Sequence, residues 1–360
     1  MRTAVISDLH LGKRSGIDLL RRPEVRERLF EGIAGIDQLV LLGDVLELRD
    51  LPVADVLELS RPFFDELGEA VAGARVVLVA GNHDHQIAAE WLDRRRQDRA
   101  ASPLGLEQVT RPAGGSLVAR LAERLNGCEL ALAHPGSWIR PDVYATHGHY
   151  LDCHNAVPSL EAIAAGASAR VTRSLPPGPL GPDAYESVLA PLYALAYGFA
   201  QAERPAREAP AGGLSVRVWE RLNRSDRRFD PLRLLIGRVA IPGLVATLNA
   251  AGLGHFDADL SGRALRRAAL AAMAEVVERL EIDARYVIFG HTHRSGPLPG
   301  DDEGEWVLPG DGCLLNSGSW VHEPPLIGAD GTSSPYWPGK CVFVEDDEPP
   351  RLERLLERLP

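Results

Sequence analysis

The chain has 360 residues, 45% hydrophobic and 25% charged, the balance of a globular protein able to bury a sizeable core without disulfides. Its formal net charge of -11 argues against a general electrostatic grip on nucleic acid. An anionic ligand must therefore be drawn in by something local, a basic groove or bound cations. The four cysteines, Cys128, Cys153, Cys313 and Cys341, show no Cys-X-X-Cys spacing and read as reduced thiols.

The first residues, Thr3 to Ser7, form a strand-like run and lack the basic region and long apolar stretch of a secretory signal. No apolar, charge-free stretch reaches the roughly 18 residues of a spanning helix. A cytoplasmic protein without a transmembrane segment is expected.

Ala4 to Ile6 leads into Asp8 and His10. Two residues apart in extended backbone project to one side, so this carboxylate and imidazole can reach one cation. Leu39 to Leu42 leads into Gly43 and Asp44. A carboxylate can bridge two cations, although alone it more often caps a helix. Arg49 follows as a phosphate clamp or a structural ion pair. Val53 to Ala72 carries apolar residues at helical spacing. Val76 to Ala80 leads into Gly81-Asn82-His83-Asp84. Asn82 offers a neutral amide oxygen to a divalent metal, and His83 reads as a neighbouring acid rather than a ligand. His85 reads as a loop residue, and Gln86 to Ala100 as an exposed helix.

His134, after Leu130 to Ala133, is a rival ligand or a partly buried histidine. His147-Gly148-His149 repeats the alternating pair. His149, Asp152 and His154 are candidate orienting or substrate-contacting groups, with solvent-facing polar residues as the plain reading. The stretch from Val157 to Gly262 holds no such motif. Its Pro/Gly punctuation and helical candidates, Tyr185 to Ala200 and Leu232 to Leu253, predict a largely helical insertion over residues 157–262, either a lid with an apolar wall or a spacer. Leu265 to Leu280 predicts a helix running into the strand Tyr286 to Phe289 and then Gly290-His291-Thr292-His293. Two histidines at that spacing are a metal signal. Cys313 to Asn316 and Cys341 to Val344 are strands without intervening helices. This mixture predicts two sheets packed face to face with helices outside, built from residues 1–156 and 263–348. His255 and His322 are background.

The order Asp-X-His, Gly-Asp, Gly-Asn-His-Asp, His-Gly-His, Gly-His-X-His resembles that of the calcineurin-like metallophosphoesterase superfamily. The resemblance implies a four-layer α/β/β/α sandwich with metals at the strand ends. It implies one metal on Asp8, His10, Asp44 and His293, and a second on Asp44, Asn82, His147 and His291, with Asp44 bridging. His83 would sit near the leaving group as general acid or as a transition-state hydrogen-bond donor. Two cations roughly 3.5–4 Å apart can hold an attacking hydroxide and neutralise phosphoryl oxygens. Manganese, iron, zinc and cobalt suit the mixed donors, manganese being favoured.

The His147 to Asp152 run and Asn316-Ser317-Gly318-Ser319-Trp320 are similar to those of bacterial UDP-diacylglucosamine pyrophosphohydrolases. Those enzymes carry Gly-Asn-Arg-Asp, whereas His83 stands here. The departure favours a general phosphomonoesterase or phosphodiesterase over a nucleotide-sugar or lipid-linked pyrophosphate hydrolase. The apolar insertion keeps a substrate with an apolar portion in view. A nuclease fits the acidic balance poorly, and no stable nucleic-acid partner is expected. A non-catalytic scaffold would normally have lost a ligand, and none is missing.

Overall fold

The structure, a computed structural model, describes every residue except 99, 203–240, 253–255, 258, 260 and 360. The chain divides into two compact units, Met1–His149 with Tyr193–Glu203 and Ile282–Pro360, and Tyr150–Leu192 with Arg204–Glu281.

In chain order the first unit holds β1 (Thr3–Ile6), α1 (Pro23–Gly32), β2 (Gln38–Leu42), α2 (Val53–Ala70), β3 (Arg75–Val79), α3 (Gln86–Gln97), β4 (Glu107–Thr110), α4 (Leu117–Ala122), β5 (Glu129–Arg140) and β6 (Val143–Thr146). The chain continues with α5 (Leu160–Thr172), α6 (Pro182–Gln201), α7 (Ile241–Ala250) and α8 (Gly262–Arg279). It then returns to the first unit with β7 (Tyr286–Phe289), β8 (Val307–Leu308), β9 (Gly312–Asn316), β10 (Lys340–Val344) and β11 (Arg351–Arg354).

β1, β2, β3 and the first half of β5 run parallel, with β10, β11 and β4 added antiparallel. The second half of β5 turns away to pair with β6, which runs parallel to β7 and β9. One long strand thus belongs to both sheets. Strand residues explain how the sheets stack. Along β2, Leu39 and Leu41 pack under the helices while Val40 and Leu42 join the other core; in β3, Val76 and Leu78 divide from Val77 and Val79 in the same way. That second core also takes Ile139, Val143, Ala145, Ile288 and Leu315, so it lies between the two sheets. Burial on both faces is why these strands read as unbroken apolar runs rather than alternating ones.

The helical layer on the first sheet comes from α1 to α4. In α2, Val56, Ser60, Phe63, Phe64 and Leu67 form the buried stripe. The expected α/β sandwich is thereby formed. α5 was not anticipated from the sequence. The expectation for Leu232 to Leu253 falls partly outside the described residues, which resume at residue 241; within it, Ile241–Ala250 is helical. Among the described residues, no helix is long and apolar enough to cross a membrane.

Leu42 is fully buried between the sheets, and its carbonyl lies 2.9 Å from His147 Nδ1. Leu42→Ala should destabilise the chain by about 2–5 kcal/mol, read as a lowered midpoint of urea unfolding.

Candidate metal centre

The motifs follow the C-terminal ends of β1, β2, β3, β6 and β7, all of which belong to the parallel ladders. Open α/β sheets present ligand groups at this edge. The backbone there is not extended. Asp8, His10, Asp44, His291 and His293 all have positive φ, from 45° to 66°. Strand alternation therefore does not bring each pair to one side, as the spacing suggested; successive left-handed turns do. For non-glycine residues such conformations cost of order 1–3 kcal/mol each and persist only where surrounding contacts enforce them.

Those contacts are visible. Asp84, fully buried, accepts the backbone N–H groups of Gly81 (2.7 Å), Asp44 (3.2 Å), Val45 (2.7 Å) and Leu46 (3.2 Å), and so ties two motif loops together. Burial, with Asp44 nearby, pushes the Asp84 carboxyl up to about 6. His291 N–H donates to Asp8 Oδ2 at 3.0 Å, and Ser7 Oγ bonds the same oxygen. The turn after β9 closes the far side: Asn316 Nδ2 donates to Gly290 O (2.9 Å), Ser317 Oγ lies 2.7 Å from Ser7 Oγ, and Trp320 N–H donates to Asp8 O (3.0 Å). The packing leaves no room for side chains at the turn glycines. A Cβ at Gly81 would strike the Asp44 carboxylate, and one at Gly290 the Asp8 carboxylate.

Three groups of ligand atoms result, namely Asp8, His10 and His293; His10, Asp44 and His83; and Asp44, His147 and His291. His293 Nε2 lies 3.4 Å from Asp8 Oδ1 and 3.1 Å from His10 Nε2. Asp44 Oδ2 lies 3.7 Å from His10 Nε2 and 3.4 Å from His147 Nε2. Asn82 Oδ1 lies 3.2 Å from His147 Nε2 and 3.1 Å from His291 Nδ1. Asp44 Oδ1 accepts the His83 backbone N–H at 2.8 Å.

Ring tautomers are set from behind. Glu47, fully buried, takes His10 Nδ1 (3.1 Å) on one oxygen and His83 Nδ1 (2.8 Å) on the other, and also receives Lys13 Nζ (2.8 Å). Glu323 Oε2 holds His293 Nδ1 at 2.6 Å, and Leu42 O holds His147 Nδ1 at 2.9 Å. A hydrogen on Nδ1 of His10, His147 and His293 leaves each Nε2 lone pair facing inward, the arrangement a metal requires. The sequence reading missed Glu47 and Glu323. Glu47 carried a signal, a charge inside the apolar run Val45-Leu46-Glu47-Leu48; Glu323 carried none.

These residues fit divalent cations. Asp8 Oδ1 is buried with no hydrogen-bond partner among the described residues. Asn82 Oδ1 faces Asp44 Oδ2 at 3.2 Å, while its nitrogen faces Arg49 Nη1 at 3.1 Å, acceptor toward acceptor and donor toward donor. Rotating the amide would pair every atom. The orientation with oxygen inward is the one that a cation among those oxygens favours. Burial works against charge on every group, yet the imidazoles nearby hold the Asp44 carboxyl well below its usual range. Burial likewise opposes the proton on His147 and His293, but Asp44 raises the first to about 9 and Glu323 the second to about 10. Burial, with Lys13 nearby, lowers His10 to about 4.

The other candidates lie outside these ligand groups. His149 is buried, with its ring 5.5 Å from that of His147. His85 is a buried residue of the turn that leads into α3. His134 is fully buried beside His85 and Trp91. Asp152 and His154 lie in the second unit; burial lowers His154 to about 4, and its Nε2 lies 2.8 Å from Tyr185 Oη. His322 stacks edgewise near Trp337, and His255 is outside the described residues. All four cysteines are free.

Residues 1–164 match the family model described as calcineurin-like phosphoesterase. Over that span, a little under half of its length, the chain is similar to the calcineurin-like phosphoesterases. The matched span holds four motifs, and the fifth, Gly290 to His293, joins them in the same compact unit. A solved dimetal phosphatase from Danio rerio is similar at 12% identity, with 95% of both chains covered and a TM-score of 0.31. No curated protein matches the chain.

Glu323→Ala should free the His293 ring and weaken divalent-metal affinity by roughly 10–100-fold, measured by chelator competition. Protons on His147 and His293 compete with metal at neutral pH because both imidazoles titrate above it. Manganese affinity should therefore rise steadily from pH 6 to about 9, with proton release on binding. Calorimetry in buffers of different ionisation enthalpy checks this, and a pH-independent affinity would count against the assignment.

Proposed function

We propose that this chain is a binuclear metallophosphoesterase that hydrolyses phosphomonoesters or phosphodiesters. The observation that carries the reading is Asp44, whose carboxylate belongs to two of the three groups of ligand atoms. In this reading Asp8, His10, Asp44 and His293 hold one ion, and Asp44, Asn82, His147 and His291 hold the other. Two divalent ions, for which manganese is the favoured choice, supply Lewis-acid stabilisation of phosphoryl charge and an activated water.

The protein's own groups then have separate tasks. Glu47 and Glu323 fix the ligand rings, so that no imidazole reorients during turnover. Arg49 places its guanidinium beside Asn82, where its fork can hold a non-reacting phosphoryl oxygen. The His83 side chain is 22% exposed, like His293 at 16%, whereas His10, Asp44 and His147 are 0–2% exposed, so it lies on the open side of the centre. With Nδ1 committed to Glu47, its Nε2 can carry a proton to a departing oxygen. An alkoxide leaving group, being strongly basic, needs that proton to depart as the alcohol, and an aryl oxide needs it less. His83, standing where the pyrophosphohydrolases that the sequence resembles carry arginine, supports a general esterase over a pyrophosphate-specific one.

The purified chain should contain about two divalent ions and hydrolyse bis(p-nitrophenyl) phosphate, with Asp44→Ala abolishing turnover. His83→Ala should cost an alkyl ester roughly 10²–10⁴-fold and an activated aryl ester far less. Equal losses on both esters would remove His83 from the acid role.

A further inference from the structure

The helix α6 crosses the division between the two units. Its residues from Tyr193 onward belong with the metal-bearing strands. The break falls two residues after Pro191, which lacks the N–H that would continue the helical ladder. Tyr193, Tyr197 and Gln201 are spaced four apart, so they form one stripe of this helix, and each meets the catalytic unit.

Tyr193 is buried, with its ring 5.6 Å from His149 and 5.3 Å from His85. The His149 ring in turn lies 5.5 Å from His147, and His85 directly follows Asp84. Tyr197 packs against the core beneath the first sheet. Gln201 reaches the start of α2, where Oε1 accepts the Val53 N–H at 2.9 Å and Nε2 donates to Leu51 O at 3.4 Å. The preceding residue, Pro52, gives α2 no side-chain cap. Gln201 therefore satisfies, from 148 positions away, a helix N–H that the local sequence leaves open.

The segment from Asp44 to Val53 carries Asp44, Glu47 and Arg49. Its first residues hang from Asp84 and its last from Gln201. We infer that the end of α6 is a brace for the active-site segment 44–53, and that Gln201 is a positioning residue acting on substrate binding through Arg49. Its catalytic consequence rests on the phosphoesterase reading; its structural consequence does not.

Gln201→Met keeps the length and helical propensity while removing both bonds. Two measurements on the manganese-loaded full chain decide the matter. Amide hydrogen exchange over residues 46–53 should accelerate in Gln201→Met, with β2 unchanged. For bis(p-nitrophenyl) phosphate, KM should rise about 2- to 10-fold, the loss expected for one or two neutral hydrogen bonds, with metal content and kcat nearly unchanged. In an Arg49→Ala background the same substitution should raise KM no further. Unchanged exchange over 46–53 overturns the brace. A KM effect that adds in full to that of Arg49→Ala overturns the route through Arg49. If the parent chain hydrolyses no phosphoester, the esterase reading fails and the exchange measurement alone decides whether the brace exists.

Discussion

The structure depends on a repulsion. Carboxylate oxygens, an amide oxygen and imidazole lone pairs point at one another within a few ångströms, in a largely buried space. In low dielectric such an arrangement is costly unless positive charge enters it. Here that charge is either protons on His147 and His293 or divalent ions. The loops, the buried acids behind the histidines and the glycines that admit carboxylates all serve to hold this unfavourable set in place. It is also why a chain with a net charge of -11 can attract a phosphate ester.

Much of the candidate centre was legible in the sequence because groups able to hold a metal are particular residue types at particular chain positions. Asp8, His10, Asp44, Asn82, His147, His291 and His293 meet as their motifs suggested. The local reason was misjudged. The pairs converge through left-handed residues after the strands end, and backbone sign is invisible in a spacing pattern. Asp84 stood inside a recognised motif, yet its task, hydrogen-bonding the neighbouring loop's backbone, depends on strand order. Glu323 was illegible for the same reason. Its partner His293 lies on another loop, and nothing near residue 323 marks it.

The fold shows a similar division. β1, β2, β3, β7 and β9 were readable because burial leaves uninterrupted apolar runs. β5 was not, because its two halves serve different sheets and present different patterns. The boundary of the helical insertion was harder still. α6 reads as one amphipathic helix, but its first and last turns belong to different compact units. Only three-dimensional contacts reveal that Gln201 works for α2.

The five left-handed ligand residues bear on how this protein can evolve. Ordinarily a strained non-glycine position is an opening for improvement, since glycine or asparagine there relaxes the backbone and raises tolerance to heat. At Asp8, His10, Asp44, His291 and His293 that route is closed, because the side chain that strains the backbone is the one that meets its neighbours in the cluster. Robustness must instead accumulate elsewhere, in the inter-sheet core and the helical layer. Sequence drift in relatives of this chain should therefore be freest far from the strand ends and most constrained where the backbone is least comfortable.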